Sequence, residues 1–268
     1  MALTRTNFLM RSTRISSLSD PQKGKGRRKA LLRRVSGPLY TMNKRLEVIY
    51  SMISDGRGLI DVGTDHGYLP AKLAQNGYSG RLFASDINAM PLSKAKETAR
   101  RCGVEDRITF LLSDGLDACP PEEIDTIVMA GMGGELICNI LDRAEWCLDG
   151  RYTLLLQPMT KAEVLRYWLV NNGFQLDKER LVKDGTFLYQ VIKARFSKNM
   201  SLSDAELFSG SFSNIQNDPL ALTHTRALIR RFEAEKKGLL SSPKSSGGRL
   251  PILCAILDQL SEMEKKLS

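Results

Sequence analysis

The sequence predicts an α/β protein: a mostly parallel sheet whose last strand runs antiparallel, followed by a C-terminal helical, coiled-coil-like hairpin. Three observations predict it. Apolar strand-like runs alternate with helical periods from residue 58 onward, the pattern of βαβ units. The last two strand-like runs are joined only by Lys183-Asp184-Gly185-Thr186, too short for a crossover helix, so they pair as a hairpin. Beyond residue 218, apolar residues recur at spacings of three and four.

Each element has its own signal. Met42, Leu46, Ile49, Tyr50 and Ile53 recur at helical spacing, and Asp55-Gly56 ends that helix. Leu59–Val62 reads as a strand, Leu69–Gln75 as a helix with Pro70 in its first turn, and Arg81–Ile87 as a strand. Helix Pro91–Cys102, strand Ile108–Leu112, strand Ile124–Ala130 and helix Glu135–Asp142 follow. Strand Tyr152–Gln157, helix Ala162–Asn171 and strands Phe174–Val182 and Phe187–Phe196 complete the sheet. Residues 197–218 are polar and Ser/Asn-rich and read as a linker. Leu222, Ile229 and Phe232 mark one later helix, and Leu253, Ile256, Leu260, Met263 and Leu267 a second, with "SSPKSSGG" between them. The expected division is a basic, disordered extension (1–40), an α/β domain (41–197) and a helical domain (198–268).

Composition narrows the function. The 268 residues are 42% hydrophobic and 26% charged, an ordinary globular balance with no apolar run of membrane-spanning length. Five cysteines without a CxxC pair argue against a zinc site or a disulfide framework, so the expected setting is the cytoplasm and no metal is expected. The formal charge of +9 is local: residues 1–45 hold twelve Lys/Arg against one acid, Asp20. Basicity therefore gives no evidence that the folded body binds nucleic acid. For the arm, a start codon placed upstream of a true one at Met42 is the favoured reading, against an RNA-binding extension or a transit signal.

The chemistry concentrates in "GLIDVGTDHGYLP", residues 58–70. It is a strand-then-glycine turn without GxGxxG, and Asp61 and Asp65 line it. A pyrophosphate would be repelled by those carboxylates and would lack its amide cradle. A ligand with a cationic centre and an amino group would welcome them. Asp86 ends the next strand, where a carboxylate can accept both ribose hydroxyls. Asp114-Gly115 follows the third strand, where a short acid can receive an adenine amino group. Gly131-Met132-Gly133-Gly134 follows the fourth and lets backbone approach a ligand closely. S-adenosylmethionine, with a sulfonium, an ammonium and no phosphate, satisfies this set.

"DVGTDHGYLP", "SDGL" (113–116), "AGMGGELI" (130–137) and "LLLQPM" (154–159) occur in that order. Together they resemble the bacterial tRNA (adenine-22-N1)-methyltransferase family, TrmK, closely over residues 42–196 and only in outline beyond. The resemblance implies a Rossmann-like methyltransferase domain, a coiled-coil C-terminal domain, S-adenosyl-L-methionine as cofactor and tRNA as partner. It puts Asp61, Gly63, Asp65, His66 and Gly67 on the methionine side of the cofactor, Asp86 at the ribose and Asp114 at the adenine. Tyr68, Ile87, Gly115, Gly131 and Met132 are the further candidate cofactor contacts. Gly67 departs from the alanine expected after Asp-His.

Chemistry at adenine N1 depends on positioning more than on side-chain catalysis. Asp65, which can stabilise the cationic product, and Gln157, which can meet the base edge, are the candidate catalytic groups. The Asn-Pro-Pro-Tyr type of motif that serves exocyclic amines is absent after the fourth strand, against N6 methylation. Lys44, Arg45, Arg226, Arg230 and Arg231 are candidate tRNA contacts, although helical cations are most often a solvated face. A monomer is expected, with a weak dimer through the C-terminal helices left open. The alternatives are a methyltransferase of another RNA or base, an NAD(P)-binding oxidoreductase and a non-catalytic RNA-binding protein. The acidic turn opposes the last two.

Overall fold

Asn43 caps the first helix, its side-chain oxygen accepting the Leu46 amide at 2.9 Å. In the computed structural model, residues 40–197, 200–241 and 248–268 are described, so the basic arm and most of "SSPKSSGG" lie outside the described residues. The capped helix is α1 (Lys44–Met52). It is followed by β1 (Gly58–Val62), α2 (Tyr68–Gln75), β2 (Arg81–Asp86), α3 (Ala89–Arg101), β3 (Ile108–Leu112), β4 (Thr126–Gly133) and α4 (Gly134–Asp142). Then come β5 (Thr153–Thr160), α5 (Ala162–Asn171), β6 (Phe174–Asp184) and β7 (Phe187–Phe196).

The seven strands lie in the order β3-β2-β1-β4-β5-β7-β6. β1 to β5 pair in parallel, and β7 is antiparallel to both β5 and β6, so the hairpin closes with its second strand inserted next to β5. Every residue of β1 is buried, as a parallel strand covered on both faces requires. Ile60 packs with Ile137, Leu165 and Leu169 under α4 and α5. Leu59 packs on the opposite face with Ile49, Leu69 and Ala99 of α1, α2 and α3. Because β1 pairs with both β2 and β4, the chain leaves it in opposite directions, which opens a crevice at the strands' carboxyl ends.

Three strands end later than the sequence suggests: β4 at Gly133, β5 at Thr160 and β6 at Asp184. β4 continues through Gly131 and Met132, with irregular register against β5 at Ala130/Met132 and Met132/Gly133. The bulged glycine run is thus held by pairing with β5 rather than as free loop.

The expected linker is corrected most. Within 197–218 lie α6 (Asp204–Ser209) and α7 (Phe212–Ile215). Ser203 and Glu206 form a reciprocal capping box, a signal readable in Ser-Asp-Ala-Glu but hidden there by the polar composition. Ala205 and Ile215 are fully buried among residues of α8 (Ala221–Ser241) and α9 (Arg249–Leu267). The α8 and α9 helices run antiparallel: Arg226 pairs with Glu264 at 2.6 Å, and Glu235 with Arg249 at 2.9 Å. Their seam is completed by α6 rather than standing as a free two-helix coil.

Candidate active site

Three residues in five take left-handed backbone after β1: Gly63 at φ 68°, Asp65 at φ 48° and Gly67 at φ 67°. This turns the chain sharply from β1 into α2. A Cβ on Gly67 would stand 2.8 Å from Ala95 Cβ of α3, so the glycine that departs from the expected alanine sits at a close helix approach. A Cβ on Gly63 would meet Met132 Cε at 2.3 Å, so the turn and the glycine run after β4 lie against one another. The Thr64 amide donates to the Ser85 carbonyl at 2.9 Å and ties the turn to β2.

Asp61 is buried at the end of β1, and its Oδ2 accepts the Thr64 hydroxyl at 2.7 Å. Burial pushes its carboxyl up to about 7, against the lowering effect of the Thr64 bond, and nearby Asp86 adds to the rise. Asp86 is buried at the end of β2, where one oxygen accepts the Asn88 amide at 2.8 Å. Ile87, next in the chain, is 58% exposed and offers an apolar face at the crevice mouth. Asp65 is exposed, and the His66 Nε2 lies 3.5 Å from its carboxylate. The His66 ring stacks on Tyr68, with centroids 5.2 Å apart.

Beyond β3, Asp114 is bound by Arg143, which reaches its carboxylate at 2.9 Å and its carbonyl at 3.2 Å. Gly115 is buried against Ile140. Arg143, at the end of α4, thus fixes Asp114, a contact that the sequence does not reveal.

Gln157 corrects the expectation of a base-edge contact. It is fully buried: its Oε1 accepts from Arg45 at 2.7 Å and from the Gly131 amide at 3.2 Å, and its amide nitrogen donates to the Pro158 carbonyl at 2.9 Å. Backbone and Arg45 thus engage both ends of that amide. Its effect is to hold the Arg45 guanidinium, which also lies 4.7 Å over the Tyr189 ring. Residues 45, 131, 157 and 189 thus meet in one cluster.

A cavity of about 470 Å³ opens here, with Asp61, Gly63, Asp65, His66, Tyr68 and Gly131 in its wall and Arg45 at its edge. Residues 42–192 match the model of a family described as "Methyltransferase domain". The chain belongs to that methyltransferase-domain family. It is 33% identical over 153 residues to the tRNA (adenine(22)-N(1))-methyltransferase of Bacillus subtilis, covering 57% of this chain and 64% of that enzyme. Among solved structures it resembles a Streptococcus pneumoniae protein provisionally assigned as a tRNA (m1A22) methyltransferase, with 27% identity and a TM-score of 0.74 over 84% of this chain and all of that one. A second crystal structure of that protein holds S-adenosyl-L-methionine. The B. subtilis m1A22 tRNA methyltransferase TrmK aligns with 25% identity and a TM-score of 0.69, over 85% of this chain and 97% of that one. The resemblance drawn from the motifs is borne out.

In this methyltransferase-domain protein the other candidate cations are distributed unevenly. Lys44 is exposed at the start of α1, while Arg45 is turned inward. Arg226 pairs with Glu264, and Arg231 lies over the Phe232 and Phe208 rings at 5.1 and 6.0 Å. Arg230 is exposed with no ion-pair partner among the described residues. The sequence reading also missed Thr64, although a threonine three residues after a buried acid is a readable local partner. No group of three or more His, Cys, Asp or Glu among the described residues is placed to hold a metal, and no described helix is long and apolar enough to cross a membrane.

Proposed function

We propose that the chain is a tRNA (adenine-N1)-methyltransferase that uses S-adenosyl-L-methionine and, like its named relatives, acts at position 22. The observation that carries this is the cavity at the carboxyl ends of β1 and β4. Asp61 and Asp65 stand in its wall where a phosphate binder would present glycine amides. The donor set fits the cofactor. Buried Asp61 suits its ammonium, Asp86 its ribose hydroxyls, and Asp114, fixed by Arg143, its adenine amino group. Gly63, Gly67 and Gly131 let backbone close on it, with His66, Tyr68, Ile87, Gly115 and Met132 around them. When bound, the cofactor supplies an electrophilic methyl group on sulfur.

The chain's own residues then have to expose and position a base. Neutral adenine carries a free lone pair at N1, so no proton need be removed there. N1 lies on the Watson–Crick edge, so the base must leave its stack. Methylation at N1 leaves a cationic base, and exposed Asp65 at the cavity wall stabilises that charge. Gln157 acts as a positioning residue, through Arg45. The same reading assigns residues 41–197 to methyl transfer and 198–268 to gripping tRNA, with a single chain as the working unit in the cytoplasm.

Mass spectrometry of nucleosides from unmodified tRNA incubated with protein and cofactor tests the reading. N1-methyladenosine mapping to position 22 is the expected product. N6-methyladenosine, or tRNA left unmodified, would overturn it.

A further inference from the structure

Next to the acidic cavity lies a second one of about 490 Å³, and His66 and Tyr68 border both. Its character is opposite. One wall is a column of three nearly parallel rings. Tyr40 stacks on Tyr68 with centroids 4.7 Å apart at 10°, and His66 stacks on Tyr68 at 8°. The Tyr40 hydroxyl donates to the Tyr68 carbonyl at 3.0 Å, which pins the outer ring. The other wall is one face of α3, carrying Lys94, Glu97 and Arg101 at helical spacing. Glu97 is neutralised by Arg100 at 2.5 Å. Exposed Lys94 and Arg101 have no ion-pair partner among the described residues.

A groove of flat rings on one side and unpaired cations on the other matches the two faces of a nucleotide, a π-surface and a phosphate. Its volume admits one nucleotide. The adjoining cavity is anionic and repels phosphate, so a polyanion approaching the crevice is drawn to the α3 side.

We propose that this groove holds a nucleotide of the substrate RNA next to the target, its base against the ring column and its phosphate on Lys94 and Arg101. The inference rests on the proposed function and adds a place where the strand is gripped while its neighbour enters the acidic cavity. Tyr40, two residues ahead of the favoured start codon at Met42, becomes part of the RNA surface.

The test is direct binding of an unmodified tRNA transcript to the full chain across a salt series, beside calorimetry with S-adenosyl-L-methionine. Lys94→Glu/Arg101→Glu should weaken tRNA binding at least tenfold and make the log–log salt slope shallower by about one to two. Cofactor affinity and thermal midpoint should stay unchanged. Lys94→Arg/Arg101→Lys should bind like the parent chain. Tyr40→Ala should weaken binding, whereas Tyr40→Phe, which keeps the ring, should not. Charge-reversed protein within twofold of the parent affinity would overturn the inference. Parent protein that methylates tRNA in that case leaves the proposed function standing. Parent protein that binds no tRNA at all overturns both.

Discussion

Asp61 combines burial with a raised carboxyl, and that makes its protonation measurable from outside. A carboxyl held near 7 in the folded chain and at its ordinary value unfolded favours folding fully only below the unfolded value. That contribution declines as pH rises toward 7 and is flat above it. Asp61→Asn should therefore flatten the fall in thermal midpoint between about pH 4 and 7, read by scanning calorimetry. A cationic cofactor favours the ionised form, so binding at pH 6 should release a proton. Calorimetry in buffers of different ionisation enthalpy reads this directly, and an unchanged proton count would remove Asp61 from the cofactor site. Asp86→Ala should weaken S-adenosyl-L-methionine binding at least tenfold, from charge-assisted bonds of roughly 1.5–3 kcal/mol to the ribose. At Gly67 the left-handed backbone and the Ala95 contact act together. Gly67→Ala should cost about 1–2 kcal/mol or more in urea unfolding. The positions of Asp61 and Asp86 at strand ends and of the glycines in the turn were legible because they follow from local strand patterns. Gln157 was misread because its burial depends on Arg45, 112 residues away.

At the scale of elements, the joint between the sheet and the C-terminal helices is polar and buried. Arg166 of α5 meets Glu179 of β6 at 2.7 Å, with both side chains almost fully covered. Arg166 also donates to the Gln190 side chain of β7 and, at 2.9 Å, to the Leu207 carbonyl of α6. Glu179 accepts the Ser211 amide at 2.7 Å. Removing one partner leaves a buried charge, so Arg166→Met should cost about 3–5 kcal/mol, and Arg166→Met/Glu179→Leu should recover much of it in a double-mutant cycle. His224 of α8 is buried nearby, and burial, aided by Arg166, pushes its imidazole down to about 4 against the favourable Phe208 carbonyl and Asp218. Its contribution is present above the ordinary histidine value and is lost as pH falls from about 6.5 toward 4. His224→Gln should make the acid limb of the stability profile less steep. A matching steepness in parent and variant would place the acid sensitivity elsewhere.

Across the described residues, acidic and cationic surfaces are separated. Asp61 and Asp86 stand at the ends of β1 and β2, while cations with no ion-pair partner among the described residues lie on α3 and on α8. Arg226 and Arg231 are held within the hairpin, so reversing them would perturb packing as well as charge. Arg230→Glu/Lys237→Glu, at two exposed positions of α8, is the cleaner variant. It should lower tRNA affinity severalfold at physiological salt with the thermal midpoint unchanged, by filter binding and differential scanning fluorimetry. Full affinity would move RNA recognition away from α8.

The order of strands and helices, the antiparallel last strand and the acidic turn were determined by the sequence alone. Alternation, glycine spacing and a four-residue connection act locally and leave few alternatives. The C-terminal helices were half legible. The apolar spacing of α9 was plain, but α6 and α7 sit in a polar stretch whose few apolar residues matter only against distant partners. Tertiary structure alone decided that Gln157 turns inward to hold Arg45, that Arg143 anchors Asp114, and that Tyr40 joins Tyr68 and His66 beside α3. In each case the determining contact joins residues separated by at least one element in the chain. Hydrogen bonding and stacking at that range depend on where the sheet places its strand ends, which no local pattern encodes.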